Sequence, residues 1–346
     1  MTNISTRTRA RRTAGGKRDT DRRGRRRGLL ARSAYGVYVA LLALLFLLLV
    51  VRLAGLDAGT LLAVPVILFP YAAVLSVLTL ATPLAVPSLR SRWPLLVAGL
   101  LTTAYVVLLV PRFVPHKEPH IPPVAPELRV ATLNTHVGQG DAHALVELVK
   151  SERIDVLAVQ ELPSAGITAL AEAGLGKVLP HQELHPENDS SLYSRLPLTH
   201  GGPLKAATAW PQTAAQVRVG GRTVQLVAVH TYYPLGDADR WTRDMTALTT
   251  VARDSGPDTV FLGDFNASTD HAPMRDLLAS GGLKDTHAEL GKGWPRTWPA
   301  NKSLLPPLLH LDHVLHGSGL AGISVAERTV PGTDHRAVIA RLALLP

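Results

Sequence analysis

Residues 259–266 read TVFLGDFN, a short run of β-branched and aromatic residues that ends by presenting Asp264 and Asn266. Pro257 and Asp258 precede it, and Ala267, Ser268 and Thr269 follow. That pattern is a buried strand bounded by turn residues. The same arrangement recurs along the chain. Asn134 closes RVATLN (129–134), Gln160 and Glu161 close DVLAVQE (155–161), and His230 closes VQLVAVH (224–230). Asp312 lies inside LLHLDHVL (308–315), and Asp334 with His335 opens DHRAVIARL (334–342). Strand ends of one sheet converge on one rim, so these side chains are placed to share a site. Any one of them is an ordinary strand or helix cap; the repeated register is not.

The residue types restrict the chemistry. The chain has no cysteine, which excludes disulfides, thiolate zinc and a cysteine nucleophile. No serine elbow or glycine-rich phosphate loop accompanies the strand ends. Carboxylate and amide oxygens favour a hard cation such as Mg2+ or Mn2+. Imidazoles add proton transfer near neutral pH. Together they suit in-line attack of water on a phosphorus ester.

Around these motifs, residues 128–346 form one domain with a substantial core. Strands are expected at 128–134, 156–160, 191–194, 216–219, 223–230, 259–262, 310–315 and 337–342. Helical periodicity marks 142–152, 239–253 and 273–279. Hairpins such as 217–229, turning at Gly220-Gly221, break a strict βαβ rhythm. The fold class is therefore α+β, mixed sheets flanked by helices.

The 346-residue chain carries 36 basic and 27 acidic residues, a net charge of +9. That excess is local: residues 1–32 hold 12 basic and 2 acidic residues, whereas Leu128 onward holds 19 basic and 22 acidic. A domain gripping DNA through its phosphates would carry the excess itself. The Arg-rich segment 1–32 is expected to be disordered and cytoplasmic. Three apolar runs follow within 33–114, at about 33–51, 58–81 and 94–114, each read as a transmembrane helix. Two further runs behind the first argue against a cleaved signal peptide. Basic residues cluster in the tail and at Arg90 and Arg92, so both are expected inside. Three spans then place the catalytic domain outside the cell, tethered to a multi-pass anchor. Residues 115–127, with five prolines, read as a stiff spacer containing His116 and His120.

In order and spacing, the motifs ATLNTH, AVQEL, LYSRLPL, AVHTYYP, LGDFNAS, HLDHVL and TDHRAV resemble the endonuclease/exonuclease/phosphatase superfamily. That group includes pancreatic-type DNase, abasic-site endonucleases, neutral sphingomyelinases and inositol polyphosphate 5-phosphatases. The resemblance covers residues 128–346. It implies a four-layer α/β sandwich of the DNase I type and a Mg2+-dependent phosphoric ester hydrolase, Mn2+ being an alternative ion. It also implies roles. Glu161, helped by Asn134 and Asp334, holds the metal. Asp264 positions the attacking water. Asn266 and His230 orient the phosphate. Asp312 pairs with His335, which stabilises the transition state or transfers a proton. Ser194-Arg195 match a motif strand but are read as structural.

His136, His313 and His316 match nothing in the family and are taken as ordinary polar positions. Trp294 and Trp298 are read as packing residues, with a substrate platform as the alternative for them and for Tyr232-Tyr233. Arg240 and Arg243 are expected on a solvated helix face. The substrate is a phosphate ester of nucleic acid or of a phospholipid headgroup. A histidine at 230 resembles the DNase and sphingomyelinase branches, and the P-x-W-x-D-R stretch of the inositol branch has no counterpart. The other readings are a phosphomonoesterase of the same superfamily and a non-catalytic tethered domain that binds phosphorylated ligands. Nothing in the sequence marks an obligate protein partner.

Overall fold

The computed structural model describes residues 7–116, 121–186, 189–300 and 305–346; of residues 7–24 and 27 it gives the backbone alone. His120 and part of the proline-rich segment lie outside the described residues. The N-terminal part holds helices α1 (Arg7–Ala54), α2 (Ala63–Val66), α3 (Phe69–Ala85) and α4 (Arg92–Leu109). The chain divides into two compact units, one of residues 1–49 with 71–106, the other of residues 50–70 with 107–346.

Within the first unit, the Tyr105 hydroxyl donates to the Leu45 carbonyl at 2.8 Å, and Thr102 donates to the Ser76 carbonyl at 3.1 Å. Leu44, Leu47, Leu78 and Leu100 point outward and are exposed. Among the described residues two helices, Gly28–Ala54 and Arg92–Phe113, are long and apolar enough to cross a membrane. The third apolar helix, α3, has 17 residues.

Three expectations are corrected here. The tail is not unstructured throughout, because α1 begins at Arg7. Arginine and alanine are strong helix formers, and the apolar run supplies the nucleus they extend. The apolar run 58–81 is not one helix. Its first part turns, forms α2 and joins the second unit, and only α3 continues as a long apolar helix. Pro65 and Pro70 interrupt the run, and residues 57–63 find polar partners on the globular domain instead. The proline-rich segment is no free spacer either. The His116 amide donates to the Glu289 carbonyl at 2.9 Å, and Pro115 and Pro126 pack on Gly291 and Gly220. Flat proline rings fit glycines that offer no side chain.

The second unit contains two six-stranded sheets. The strands are β1 (Glu127–Asn134), β2 (Val156–Gln160), β3 (His181–Glu183), β4 (Ser190–Ser194), β5 (Thr199–Pro203), β6 (Thr213–Val219), β7 (Arg222–His230), β8 (Thr259–Asp264), β9 (Lys284–Asp285), β10 (Asp312–His316), β11 (Leu320–Thr329) and β12 (Arg336–Leu344). One sheet has the order β11-β12-β1-β2-β4-β3, the other β5-β6-β7-β8-β10-β9. The helices are α5 (Ala142–Ser151), α6 (Ser164–Glu172), α7 (Leu175–Val178), α8 (Pro234–Asp254), α9 (Ala272–Ser280) and α10 (Thr286–Glu289).

Three apolar clusters define four layers. Val130, Ala158, Leu226, Leu262 and Val338 fill the space between the sheets. Leu133, Leu157 and Ile339 on the far face of the first sheet meet Leu145 and Val149 of α5 and Leu170 of α6. Val227, Phe261 and Leu315 on the far face of the second meet Trp241 and Met245 of α8 and Met274 and Leu277 of α9. Strands β1, β2, β7 and β8 are buried on both faces, which is why they read as continuous apolar runs.

The topology explains the shared rim. Strands β1 and β2 run parallel with Asn134 beside Gln160, and β7 and β8 run parallel with His230 beside Asp264. Strand β10 is antiparallel to β8 and begins with Asp312 opposite Asp264. Strand β12 is antiparallel to β1, so His335 enters at the same rim. Gly263, with φ of 155°, lets β8 approach the Val229 carbonyl where a Cβ would collide.

Candidate active site

A cleft of about 430 Å³ opens at this rim, lined by Glu161, Asp189, His230, Asp264, Asn266, Asp334 and His335 among others. Asn134 and Asp312 lie buried beneath it. Asn134 Nδ2 donates to Glu161 Oε1 at 2.9 Å and to Asp264 Oδ2 at 3.1 Å, which joins the two sheets. Glu161 Oε2 accepts from the Val137 amide at 2.9 Å.

Two histidines face one carboxylate. His335 Nδ1 lies 2.9 Å from Asp312 Oδ2, and its Nε2 lies 3.7 Å from Asp264 Oδ2. His230 Nδ1 lies 2.9 Å from Asp189 Oδ2, and its Nε2 lies 3.9 Å from the same Asp264 oxygen and 3.8 Å from Glu161. An ionised carboxylate only accepts, so each Nδ1 carries a proton and each Nε2 faces the cleft. Asn266 is held by donating its side-chain amide to the Thr231 carbonyl at 3.1 Å, and its backbone amide donates to Asp264 at 2.9 Å.

Burial by itself disfavours a charged imidazole. At His335 the Asp312 and Asp264 carboxylates outweigh it and push the pKa up to about 10. At His230 burial again opposes, and the hydrogen bond to Asp189 with the charges of Asp264 and Glu161 raises the value. The Asp264 carboxyl is raised, first by burial and then by Asp312, against the pull of both imidazoles.

The donor set suits a hard cation. Asp264 and Asp312 bring carboxylate oxygens close together at the floor of the cleft, beside His335. Asp312 Oδ1 is buried with no hydrogen-bond partner among the described residues. Glu161 and Asn134 add a carboxylate and an amide oxygen from the other sheet. Asp334 reaches the cleft from a different side, 3.2 Å from His136 Nδ1 and accepting from Trp298 Nε1 at 3.0 Å.

All eight residues singled out from sequence therefore lie at or just below one cleft. Ser194-Arg195 do not: Arg195 pairs with Asp155 at the opposite end of β2. Four participants escaped the sequence reading. Asp189 immediately precedes β4, whose Ser190 pairs with Gln160, so extending that strand by one residue would have exposed it. Trp210 stacks on His230 at 4.8 Å and sits in a loop without a motif. His136 and Trp298, set aside as ordinary polar and packing positions, line the cleft. Tyr232 and Tyr233 stack on each other, Arg240 lies over the Tyr232 ring, and Arg243 pairs with Asp239 on the helix face.

The fold is shared with solved proteins. D. rerio TDP2 humanized by 14 mutations superposes with a TM-score of 0.51 at 16% identity, covering 62% of this chain and 98% of that one. D. rerio TDP2 complexed with a single-strand DNA product gives 0.50 at 17% identity, with 62% and 98% covered. SmcL gives 0.50 at 14% identity, with 63% and 99% covered. No curated protein matches the sequence. The family model for the endonuclease/exonuclease/phosphatase family matches residues 131–335, from within β1 to the histidine at the entry of β12. With that match taking in all eight residues placed at the cleft and more than half of the chain, the chain belongs to the endonuclease/exonuclease/phosphatase family.

Proposed function

We propose that this chain is a membrane-anchored, outward-facing, Mg2+-dependent phosphodiesterase. The observation that carries the reading is the meeting of two carboxylate-backed imidazoles, His230 and His335, over Asp264 beside Glu161. Glu161, Asn134 and Asp334 would hold the ion, which when bound supplies positive charge next to the phosphoryl oxygens. Mn2+ fits the same donors.

The side chains divide the remaining work. Asp264, between the two Nε2 atoms, positions the attacking water and accepts its hydrogen bond. His230 and His335 point their Nε2 atoms at the phosphate; the carboxylates around them favour the charged rings, which would stabilise charge that grows in the transition state. Asp189 and Asp312 fix the two rings through their Nδ1–H groups, so that each Nε2 is left for the substrate. Asn266 fixes the phosphate's orientation from the β8 end. Trp210, behind His230, removes water from one wall.

Twelve basic residues in the tail and Arg90 with Arg92 between α3 and α4 support an orientation with both of these inside and the globular domain outside. A tethered cleft facing outward meets phospholipid headgroups and extracellular nucleic acid.

The full chain in detergent micelles is assayed with bis(p-nitrophenyl) phosphate, p-nitrophenyl phosphate, plasmid and single-stranded DNA, and sphingomyelin, each with Mg2+, Mn2+ or chelator. Diester turnover should need the metal and exceed monoester turnover. Absence of metal-dependent turnover on every substrate, or equal turnover in His335→Ala, overturns the reading; monoester preference would make it a phosphomonoesterase.

A further inference from the structure

A second group of ligand-type side chains lies outside the cleft, where the turn of β9 and α10 meets the loop leading into β10. Asp285, His287 and His310 each offer one ligand atom, all within 4.8 Å of one another. His287 is only 2% exposed. Among the described residues, His287 Nδ1 and His310 Nε2 are buried and have no hydrogen-bond partner. A buried polar atom without a partner is costly, and two in one cluster call for a common explanation.

The surroundings prepare these atoms for a cation. His287 Nε2 lies 3.1 Å from Glu327 Oε1 and donates to it, which leaves the lone pair on Nδ1. A carboxylate behind an imidazole is the usual support of a metal-binding histidine. Asp285 accepts from the Ala288 amide at 2.8 Å and faces His313 Nδ1 at 2.7 Å, so its carboxylate is fixed while each oxygen keeps a lone pair. His313 in turn packs against His310, ring centroids 3.8 Å apart. A cavity of about 30 Å³ borders Asp285, His287 and His310, the space of a single small ion or water. Arg112 borders it too, but its charge is engaged by Asp270 at 2.9 Å.

We propose that Asp285, His287 and His310 form a second metal site for a Zn2+-type ion. Two imidazole nitrogens and one carboxylate match zinc rather than magnesium, and the cavity leaves a fourth position for water. Tetrahedral ligand atoms around zinc stand about 3.3 Å apart, so the His310 loop closes by roughly 1 Å on binding. That loop also holds Trp298, whose amide donates to the Leu309 carbonyl at 3.0 Å and whose indole donates to Asp334 at 3.0 Å. The ion thus braces the loop that orients one edge of the cleft. It takes no part in bond breaking.

The test uses the metal-stripped full chain in detergent micelles, titrated with Co2+ and read by visible absorption. Four-coordinate Co2+ absorbs strongly there, and six-coordinate oxygen sites barely do. One equivalent should develop the strong band, and one equivalent of Zn2+ should abolish it and raise the melting temperature. Excess Mg2+ should leave it unchanged. His310→Gln and His287→Gln should each lose the band, and Glu161→Gln should keep it. No strong band in the unmutated chain overturns the proposal without reference to any variant. So does a band that survives both histidine substitutions, or one that only Glu161→Gln removes. Absorption is read without turnover, so this outcome is independent of the phosphodiesterase assay.

Discussion

Glu161 follows directly on β2 and Asn266 lies two residues past the end of β8, with φ of 53° and 47°, in the left-handed region that residues with side chains seldom adopt. Such conformations cost on the order of 1 kcal/mol each and persist where the surroundings enforce them. Here the Glu161 amide donates to the Asp189 carbonyl at 3.1 Å, and the Asn266 amide donates to Asp264 at 2.9 Å. The strain turns both side chains from the sheet into the cleft. The histidines behind them give the sharpest test. His335→Ala removes a proton-carrying Nε2 and should lower kcat by about 10²- to 10⁴-fold. Asp312→Asn keeps the ring in place but removes the charge that holds it protonated, and should lose activity on a similar order. The same change also breaks a buried pair, so a melting curve of Asp312→Asn is recorded beside kcat to separate lost catalysis from lost folding. Wild-type kcat in Asp312→Asn would show that the pair does not work as described. Asp189→Asn, acting through His230, should cost about 10- to 100-fold in kcat.

The segment between α1 and α3 behaves as part of the globular domain. Asp57 accepts from the Ala272 amide at 2.7 Å, Gly59 donates to Thr242 at 2.8 Å, and the Ala63 carbonyl lies 3.0 Å from His271 Nε2. Beneath them, fully buried Asp270 binds Arg52 at 2.7 Å and Arg112 at 2.9 Å. Burial alone would raise Asp270; the two guanidiniums outweigh it and hold it below the usual carboxylate range. Asp270→Asn leaves two buried cations short of a partner and should destabilise the fold by about 3–5 kcal/mol in denaturant unfolding. His271 adds a pH dependence. Burial lowers its pKa despite the Ala63 carbonyl and the charges of Asp57 and Asp270. Between that lowered value and about 6.5 it is neutral when folded and protonated when unfolded. The unfolded chain binds more protons in this window, so stability rises with pH and is lost as pH falls. The melting temperature should therefore drop between pH 7 and 5, and drop less in His271→Gln; equal slopes would remove His271 from the account. This docking was not legible in the sequence, because an apolar run such as 58–68 reads alike whether it meets lipid or protein. The inner strands were legible, since burial on both faces leaves only apolar residues between polar ends. The edge strands β3, β5 and β11 were not: Gly201-Gly202 in β5 and the half-exposed, bulged β11 carry no clean period. Asn134, Glu161, His230 and Asp264 could be placed at one rim from sequence because each lies at or just past the end of such an inner strand. Asp189 and Trp210 sit in loops, where only the fold brings them to His230.

The distribution of charge gives the chain its proposed orientation. Twelve basic residues precede Ser33, and Arg90 and Arg92 lie between α3 and α4, while the part from Leu128 onward is slightly acidic. In that proposed orientation α1, α3 and α4 each cross the membrane. The weak member is α3, whose 17 residues span about 25 Å at 1.5 Å each, a little short of a 30 Å hydrocarbon core. Local thinning of the bilayer absorbs a deficit of this size at modest cost. If α3 does cross, a reporter enzyme active only in the cytoplasm is silent when fused after Pro346 and active when inserted beside Ser91. If α3 instead lies at the surface, two crossings remain and the C-terminus returns to the side of the tail, so the C-terminal reporter is active. That result would place the cleft in the cytoplasm and end the extracellular reading while leaving the hydrolytic one intact. Replacing the tail arginines with glutamine supplies the control. It weakens the signal that keeps the N-terminus inside, and a mixed population of C-terminal reporter activity should follow if orientation is set by those charges.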